Sequence, residues 1–523
     1  MNGPCLLPDL IARSAACAPD AVALVDGQQK ITYAELRQLI EQCAAGLAGL
    51  GVRRGERVAV WLEKRVETVV ACFAAASAGA AFVPVNPVLK PTQVGHILRD
   101  CGVRALVTAQ DRLATLESEL SVCPELRHRI IVDAETVASG RVTWRDLLVA
   151  TAGAAPPALT LTTEDDMAAI FYTSGSTGKA KGVVVSHRNL VAGAQSVVGY
   201  LGNRPDDILL GVLPLSFDAG FSQLTTAFLV GARVVLLNYL LPRDVLLAMQ
   251  RERITGLTAV PPLFIQLARL DWPAGCADTL RYFANTGGRL PRDTLARLRE
   301  KAPCALPYLM YGLTEAFRAT CLPPGEVDRR ADSIGKAIPN TQVFVLRPDG
   351  TPCGPDEPGE LVQRGPLVAM GYWNNPDATA ERFKPLPPGL RPDGLPLPET
   401  AVFSGDTVRM DEDGFLYFVG RTDEMIKTSG YRVSPTEIEE VIYATGLVVE
   451  CAARGAFHDT LGQAIHVVAV PARGDIGQEA LLTECRIRLP AYMVPATIEL
   501  RAGPLPRNAN GKLDRAALRG VLA

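Results

Sequence analysis

A glycine-rich loop between two apolar runs is the first part of the sequence that could do chemistry. Residues 172–182 read Tyr-Thr-Ser-Gly-Ser-Thr-Gly-Lys-Ala-Lys-Gly, and apolar residues 167–171 and 183–185 flank them. Glycine lets the backbone approach a ligand closely and adopt a positive φ. The N–H groups, hydroxyls and lysines of such a loop can surround phosphate oxygens. The loop therefore predicts a phosphate-binding cradle.

Two other interpretations of this loop fit less well. A Walker-type phosphate loop needs Gly-x-x-x-x-Gly-Lys followed by Ser or Thr, which holds magnesium. Here two residues separate Gly175 from Gly178, and Ala180 follows Lys179. A flexible Gly/Ser linker is disfavoured because strand-like apolar runs adjoin the loop on both sides.

Five further motifs follow the loop in a fixed order along the chain. They are 311–315 (Tyr-Gly-Leu-Thr-Glu), 404–406 (Ser-Gly-Asp), 420–423 (Gly-Arg-Thr-Asp), 427–432 (Lys-Thr-Ser-Gly-Tyr-Arg) and 510–515 (Asn-Gly-Lys-Leu-Asp-Arg). With the loop, they resemble the AMP-forming adenylate ligases: acyl-CoA synthetases, adenylation domains of nonribosomal peptide synthetases and firefly-type luciferases. The resemblance extends over essentially the whole chain. It is strongest to free-standing acyl-CoA ligases of exosortase-A systems and to stand-alone amino-acid–carrier-protein ligases.

The resemblance implies where ATP and magnesium bind. Glu315, beside Thr314, would hold magnesium, a hard cation that prefers carboxylates and phosphate oxygens; the alternative is a solvated loop glutamate. Asp406 would accept hydrogen bonds from the ribose hydroxyls, joined by Arg421; the alternative is an aspartate that stabilises a turn. The other residues implied at the nucleotide are Thr173, Ser174, Gly175, Ser176, Thr177, Gly178, Lys179, Gly287, Gly288, Tyr311 and Gly312.

The C-terminal motifs imply a catalytic lysine and a moving domain. Lys512 would lie over the α-phosphate and the substrate carboxylate, where a cation stabilises the charge that develops on phosphorus. In the family the C-terminal domain is a small mobile lid, and Asp423 takes the hinge position. Lys427, Gly430 and Tyr431 would lie in the segment that forms the thiol tunnel after adenylation.

The acyl pocket gives mixed indications of the substrate. Phe217-Asp218 matches the pattern of amino-acid-activating domains, in which the aspartate binds the amino group, whereas residues 424–432 resemble the acyl-CoA ligase form. A buried aspartate needs a compensating cation, and an ammonium group would supply one. Arg318 could pair with a second substrate carboxylate, or it could point away and pair with a surface acid such as Glu326. The pocket positions implied by the resemblance are Asp218, Ala219, Ser222, Ala259, Asn285, Gly287, Met310, Arg318 and Ala319.

Composition favours a large enzyme that binds neither nucleic acid nor membrane. The chain has 523 residues, 48% of them hydrophobic, and a net charge of −3, so no basic surface is expected. Twelve cysteines lie without a C-x-x-C pair, which favours reduced core thiols, Cys72 and Cys451 among them, in a cytoplasmic protein. The N-terminus shows no signal-peptide pattern. The alanine-rich run 69–85 predicts a buried helix followed by a strand rather than a membrane span.

Alternating strand and helix patterns predict the fold that must position these residues. Strands are expected at 57–62, 80–85, 105–108, 130–132, 208–212 and 233–237, and helices at 66–77, 189–200 and 242–252. This alternation is typical of doubly wound α/β layers with mainly parallel sheets. Residues 152–159 and 384–399 are rich in proline and predict linkers. A strand at 414–419, a helix at 435–443 and a strand at 464–470 complete the pattern. We expect a large N-terminal α/β domain over residues 1–420 and a small mobile α+β lid over 421–523.

The predicted reaction has two steps and uses ATP and Mg²⁺. A carboxylic acid becomes an acyl adenylate with release of pyrophosphate, and the thiol of coenzyme A or of a phosphopantetheinyl carrier protein then displaces AMP. One alternative is an amino-acid–carrier-protein ligase, with an acidic amino acid as one candidate substrate. Two others, less favoured because all the catalytic positions are filled, are a luciferase-like oxidation of the adenylate and a non-catalytic nucleotide-binding protein.

Overall fold

The computed structural model describes residues 3–138, 140–149, 162–173, 180–391, 398–421, 425–506 and 518. Three short 3₁₀ turns in this part are Thr314–Ala316, Pro324–Glu326 and Ala491–Met493. The elements of the first part of the chain are α1 (Asp9–Cys17), β1 (Val22–Asp26), β2 (Gln29–Thr32), α2 (Tyr33–Gly49), β3 (Arg57–Trp61), α3 (Val66–Ser77), β4 (Ala81–Pro84), α4 (Pro91–Asp100), β5 (Ala105–Thr108), α5 (Gln110–Thr115), α6 (Glu117–Leu120), β6 (His128–Ile131), β7 (Arg141–Thr143) and α7 (Trp144–Val149).

The middle part of the chain carries most of the elements that form the site. They are β8 (Met167–Thr173), β9 (Lys181–Ser186), α8 (His187–Leu201), β10 (Ile208–Gly211), α9 (Asp218–Val230), β11 (Arg233–Leu236), α10 (Pro242–Glu252), β12 (Gly256–Ala259), α11 (Pro261–Arg269), β13 (Tyr282–Asn285), α12 (Arg292–Lys301), β14 (Leu306–Tyr311), β15 (Thr320–Leu322), β16 (Ser333–Ala337), β17 (Gln342–Leu346), β18 (Gly359–Arg364), β19 (Gly371–Tyr372), α13 (Pro376–Arg382), β20 (Phe383–Pro385), β21 (Thr400–Met410) and β22 (Leu416–Arg421).

The last part of the chain alternates short strands and helices. Its elements are β23 (Ile426–Thr428), β24 (Tyr431–Val433), α14 (Pro435–Tyr443), β25 (Val448–His458), β26 (Gly462–Pro471), α15 (Gln478–Arg488) and β27 (Thr497–Leu500).

The chain divides into two compact units. The larger comprises Met1–Pro87, Pro91–Tyr172 and Gly182–Arg421, and the smaller comprises Val88–Lys90, Thr173–Lys181 and Thr422–Ala523. No helix in the described part of the chain combines the length and the apolarity needed to span a bilayer. The alanine-rich run is instead the buried helix α3 followed by the buried strand β4, as predicted.

Two sheets form the framework of the larger unit. One contains the parallel series β14-β13-β12-β10-β11-β1, and the other contains the series β8-β4-β3-β5-β6-β7, also with parallel pairing. Stacked rings of Phe73, Phe82 and Phe221 lie in the core, with the centroids of Phe82 and Phe221 4.7 Å apart. The α/β class and the large N-terminal unit are thus confirmed. The helices predicted at 66–77 and 242–252 have the predicted bounds.

The second half of the larger unit adds antiparallel strands, and of these the sequence pattern predicted only the strand at 414–419, which is observed as β22. Strands β15, β16, β22, β21, β18 and β17 extend the first sheet beyond β14. Part of the predicted proline-rich linker belongs to this region, because Lys384 and Pro385 pair with β21. The linker predicted at 152–159 lies outside the described residues.

The smaller unit is built on an antiparallel sheet with a parallel edge strand. Its order is β24-β23-β26-β25, and β27 pairs with β26 in parallel. Ser429 and Gly430 connect β23 to β24 with φ of 52° and 81°, the backbone that a two-residue hairpin turn requires. Helix α14 has the predicted bounds and packs its apolar face on this sheet, which agrees with the expected smaller α+β domain.

The cysteines form no disulfide bonds. All twelve are free, and eight of them, including Cys72 and Cys451, are buried. Cys5, Cys17 and Cys304 are exposed, so the expectation of core thiols holds for most of the cysteines but not for these three.

Candidate active site

Strands β12, β13 and β14 run in parallel and end side by side, which places their last residues at one edge of the sheet. Ligands of open α/β sheets bind outside the carboxyl ends of the strands. Asn285, the last residue of β13, donates from Nδ2 to the carbonyl of Gly288 at 2.7 Å. Gly287 between them has a φ of +78°, a conformation that favours glycine. The predicted residues at 285–288 therefore form one tight turn at this edge.

The segment after β14 folds back on itself at Gly312. A Cβ atom at Gly312 would lie 2.3 Å from the carbonyl oxygen of Phe317, so only glycine allows the two backbones to come this close. Phe317 has a φ of +59°, which is rare for an aromatic residue and is typical of strained functional segments. Ala319 then donates to the carbonyl of Tyr311 at 3.0 Å, which closes the loop that carries Thr314 and Glu315.

Glu315 is buried and is held by a tyrosine that sequence analysis missed. Its side chain lies in the 3₁₀ turn that Thr314 begins, and the residue is 5% exposed. The hydroxyl of Tyr372 donates to Oε1 of Glu315 at 2.6 Å. The backbone of Ala369 donates to the Glu315 carbonyl at 2.9 Å. The alternative of a solvated loop glutamate is therefore wrong. An oriented carboxylate of this kind fits Mg²⁺, which binds proteins through one or two carboxylates plus phosphate oxygens.

Asp406 and Tyr311 come together although they are far apart in sequence. The hydroxyl of Tyr311 donates to Oδ2 of Asp406, which is 3% exposed. The backbone N–H of Asp406 donates to Oγ of Ser404 at 3.1 Å. Arg421 pairs with Asp406 in the β21–β22 ladder. These three positions, which the sequence predicted at the nucleotide from separate motifs, thus meet in one place.

Arg318 and Asp218 form a buried ion pair. Nη1 of Arg318 lies 3.6 Å from Oδ2 of Asp218, and the side chains are 4% and 18% exposed. Burial raises the pKa of the Asp218 carboxyl, and the positive charge of Arg318 opposes that rise. The predicted alternative, Arg318 paired with Glu326 at the surface, is wrong, because Glu326 pairs with Arg329 and Arg330. The compensating cation that Asp218 needs is therefore supplied by the protein itself.

A cavity adjoins this ion pair, and we call it the α9 cavity. Its volume is about 20 Å³, and it lies between helices α8 and α9 and strands β10 and β12 to β14. The predicted pocket residues Ala219, Ser222, Met310 and Arg318 line it. The other predicted pocket residues are not among its lining residues: Asp218, Ala259, Asn285, Gly287 and Ala319.

Two further lining residues, Gln223 and Thr226, were missed from the sequence. They continue the helical spacing i, i+3, i+4, i+7 that begins at Ala219, which places all of them with Ser222 on one face of α9. Several polar residues at helical spacing within an otherwise apolar sequence were the signal that could have identified them.

The predicted thiol-tunnel residues lie in the smaller unit. Lys427 is in β23, and its backbone N–H donates to Oε1 of Gln463 at 2.7 Å. Gly430 forms the hairpin turn, and the ring of Tyr431 stacks on that of Tyr492 with centroids 3.7 Å apart.

Thr173, the first residue predicted at the phosphates, is the last residue of β8. The predicted residues Ser174, Gly175, Ser176, Thr177, Gly178, Lys179, Asp423 and Lys512, and the side chain of Arg421, lie outside the described residues.

Comparison with known families decides the identity of this site. Residues 11–373 match the family described as AMP-binding enzyme. The chain belongs to the AMP-binding enzyme family. Residues 437–512 match the C-terminal domain of AMP-binding enzymes, so the two matches fall on either side of the antiparallel strands β20 to β22.

Relatives of this AMP-binding enzyme include a CoA ligase and a gramicidin synthase. A feruloyl-CoA synthase of Amycolatopsis sp is 32% identical over 516 residues, which cover 97% of this chain and 97% of that protein. A linear gramicidin synthase of Brevibacillus parabrevis is also 32% identical, over 505 residues. That match covers 96% of this chain and 6% of the gramicidin synthase chain. Equal identity to both relatives means that overall similarity does not assign the substrate.

A solved structure supports the same family. A double mutant of o-succinylbenzoate CoA synthetase from Bacillus subtilis, bound with a product analogue, has a TM-score of 0.82 at 27% identity. The match covers 98% of each chain. This AMP-binding enzyme is therefore an adenylate-forming acid–thiol ligase that uses ATP and Mg²⁺.

Proposed function

We propose that this enzyme joins a carboxylic acid that is not an amino acid to the thiol of coenzyme A. The observation that carries the proposal is the Asp218–Arg318 ion pair. In the amino-acid interpretation Asp218 is the acceptor for a substrate ammonium group, but here its charge is already balanced by Arg318. An added ammonium would place an uncompensated charge in a buried site, which is costly.

Coenzyme A is favoured over a carrier protein by two observations. The feruloyl-CoA synthase and the o-succinylbenzoate CoA synthetase both match this chain nearly end to end, whereas the gramicidin synthase matches over 6% of its own length. Residues 424–432 have the form found in acyl-CoA ligases.

The twelve free cysteines favour a reducing compartment, and we propose the cytoplasm.

The proposed reaction follows from what each residue can bind. An oxygen of the substrate carboxylate attacks the α-phosphorus of ATP, and the bond from phosphorus to pyrophosphate breaks. Asp406 accepts from the ribose hydroxyls, and Lys512 stabilises charge on the α-phosphate. Glu315 would hold Mg²⁺, which would supply positive charge against the phosphate oxygens. After the small domain turns about Asp423, the thiolate of coenzyme A attacks the acyl carbon and AMP leaves with the carboxylate oxygen.

The proposal is tested by product analysis of the full-length protein. The protein is incubated with ATP, Mg²⁺ and coenzyme A against a panel of alkyl, aryl and amino acids, and the products are identified by mass spectrometry. We expect acyl-CoA, AMP and pyrophosphate in equal amounts with at least one acid that lacks an amino group. Activation of amino acids alone, or transfer only to a phosphopantetheinylated carrier protein, would contradict the proposal.

Replacing Tyr372 with phenylalanine should weaken the use of magnesium. The substitution removes the hydroxyl that orients Glu315, and the loss of such a supporting hydrogen bond typically costs about tenfold or more in metal affinity. We therefore expect the Mg²⁺ concentration at half-maximal adenylation to rise about tenfold, with a smaller change in rate at saturating Mg²⁺.

Tyr33→Phe is the matched control for this experiment. The Tyr33 hydroxyl donates to the carbonyl of Ala232 at 2.6 Å and is also buried, so the control loses one buried hydrogen bond elsewhere in the protein. An unchanged Mg²⁺ dependence in Tyr372→Phe, or an equal change in the control, would show that Tyr372 does not position Glu315.

A further inference from the structure

The α9 cavity contains buried polar atoms that have no partner. Nε of Arg318, Oε1 of Gln223 and Oγ1 of Thr226 make no hydrogen bond within the described residues. The three residues are 3%, 6% and 2% exposed, and all three line the cavity. Buried polar atoms of native proteins are nearly always paired, so three unpaired atoms around one cavity indicate that a ligand or water supplies the partners.

The orientation of Gln223 is fixed by the protein. Its Nε2 donates to the carbonyl of Leu210 at 2.9 Å, which leaves Oε1 as an acceptor. Nε of Arg318 can only donate, and the hydroxyl of Thr226 can donate and accept. The cavity thus presents both hydrogen-bond donors and an acceptor. A single ligand group that pairs with all three atoms must both accept and donate hydrogen bonds.

The charge of the cavity limits the group further. Asp218 balances the charge of Arg318, so the ion pair is neutral as a unit. An ionised substituent on the acyl group would add a net charge to a buried site without a counter-charge, and that is unfavourable. The group that suits the three unpaired atoms is therefore polar and uncharged.

The remaining walls of the cavity are mostly apolar. Apolar side chains of Val197, Leu209 and Met310 line the cavity and can contact methylene or ring carbons. Tyr282 also lies in the wall, and its hydroxyl accepts from Nδ2 of Asn203 at 2.9 Å. A Cβ at Gly256 would lie 2.4 Å from that hydroxyl, so this wall is closely packed.

We propose that the α9 cavity receives the end of an acyl group, and that this end carries an uncharged hydroxyl or carboxamide. In this arrangement Arg318 Nε and the Thr226 hydroxyl donate to the oxygen of that group, and Gln223 Oε1 accepts from its O–H or N–H. The inference rests on the proposed function, because it takes the cavity to be the place of the acyl group. It replaces the expectation, based on the sequence, of a second substrate carboxylate facing Arg318.

Acids of equal shape test this inference. Acid-dependent exchange of labelled pyrophosphate into ATP is measured with 4-methylpentanoate, succinamate and succinate, and with 4-methylbenzoate, 4-hydroxybenzoate and terephthalate. In each set the first acid ends in an apolar group, the second in an uncharged polar group and the third in an ionised group. We expect the second acid of at least one set to have a kcat/KM about tenfold or more above both others, since it alone pairs the buried atoms.

The other outcomes of the panel separate the two proposals. If the apolar or the ionised members are activated best, the inference about the cavity is wrong while the ligase function stands. If no acid of this panel or of the alkyl, aryl and amino-acid panel supports exchange, the proposed function itself is wrong.

Thr226→Val tests the assignment within the protein. Valine has nearly the shape of threonine but cannot form a hydrogen bond, so the preference for the polar over the apolar acid should fall about tenfold. Thr225→Val is the control, because Thr225 is equally buried, donates to the carbonyl of Ser222 at 3.2 Å and is not among the lining residues. If Thr226→Val keeps the preference for the polar acid unchanged, water and not the substrate forms the hydrogen bonds with these atoms, and the inference is wrong.

Discussion

Replacing Lys512 with alanine should slow formation of the acyl adenylate by about 10²–10³-fold, the usual effect of removing one electrostatic contact to a charge that develops in the transition state. Thioester formation from preformed acyl adenylate should change little, because the phosphorus no longer gains charge in that step. The two half-reactions are measured separately, the first as pyrophosphate exchange and the second as release of AMP from added acyl adenylate and coenzyme A.

Lys30→Ala is the control for this experiment. Lys30 is exposed in β2, so the control removes one positive charge from the protein surface and should leave both half-reactions intact. Equal losses of both half-reactions in Lys512→Ala would contradict the role assigned to this lysine.

Replacing Arg318 with methionine should lower the free energy of unfolding by about 3–5 kcal/mol, because it leaves the buried carboxylate of Asp218 without its partner. Methionine keeps the length of the side chain and removes the charge. The double variant Asp218→Ala, Arg318→Met should recover most of the loss, since no unpaired charge remains. The measurement is urea unfolding of the wild type, both single variants and the double variant.

The loss in Arg318→Met should depend on pH in a defined direction. Burial already raises the pKa of Asp218 in the folded protein, and removal of Arg318 should raise it more. A carboxyl whose folded pKa lies above its unfolded pKa binds more protons in the folded state, so stability falls as pH rises through that range. The loss in the free energy of unfolding of Arg318→Met relative to the wild type should therefore be smaller at about pH 5 than at about pH 8. An equal loss in the free energy of unfolding at both pH values would show that Asp218 and Arg318 are not energetically coupled. So would a double variant that is no more stable than Arg318→Met.

The sequence predicted the residues of the site better than their contacts. Glycine-rich and acidic motifs in a fixed order indicated the chemistry, and alternating apolar runs indicated the parallel strands. Tyr372 and Glu315 are 57 residues apart and Tyr311 and Asp406 are 95 apart. No local pattern joins such positions, because their contact is created by the order of the strands in the sheets. The antiparallel strand β21, which carries Asp406, was missed for the same reason.

The partner of Arg318 shows a second kind of limit. A single arginine after a β-strand gives no indication of whether its side chain turns inward, and either orientation satisfies its charge. The backbone at Phe317, with its positive φ, turns the chain so that the next residue is buried beside Asp218. By contrast, Gln223 and Thr226 were predictable in principle, because their spacing on α9 is helical and their polarity is unusual for a buried helix face.

An acyl adenylate must precede the thioester in this mechanism, and the transfer of oxygen tests that central claim most directly. The acid that gives the strongest pyrophosphate exchange is labelled with ¹⁸O in its carboxylate and converted with ATP and coenzyme A, and the products are analysed by mass spectrometry. The proposed mechanism predicts that one ¹⁸O atom appears in AMP and none in pyrophosphate, because the carboxylate oxygen stays on the α-phosphorus when the thiol takes the acyl group. Formation of ADP with ¹⁸O in inorganic phosphate would contradict this mechanism, and so would AMP without ¹⁸O.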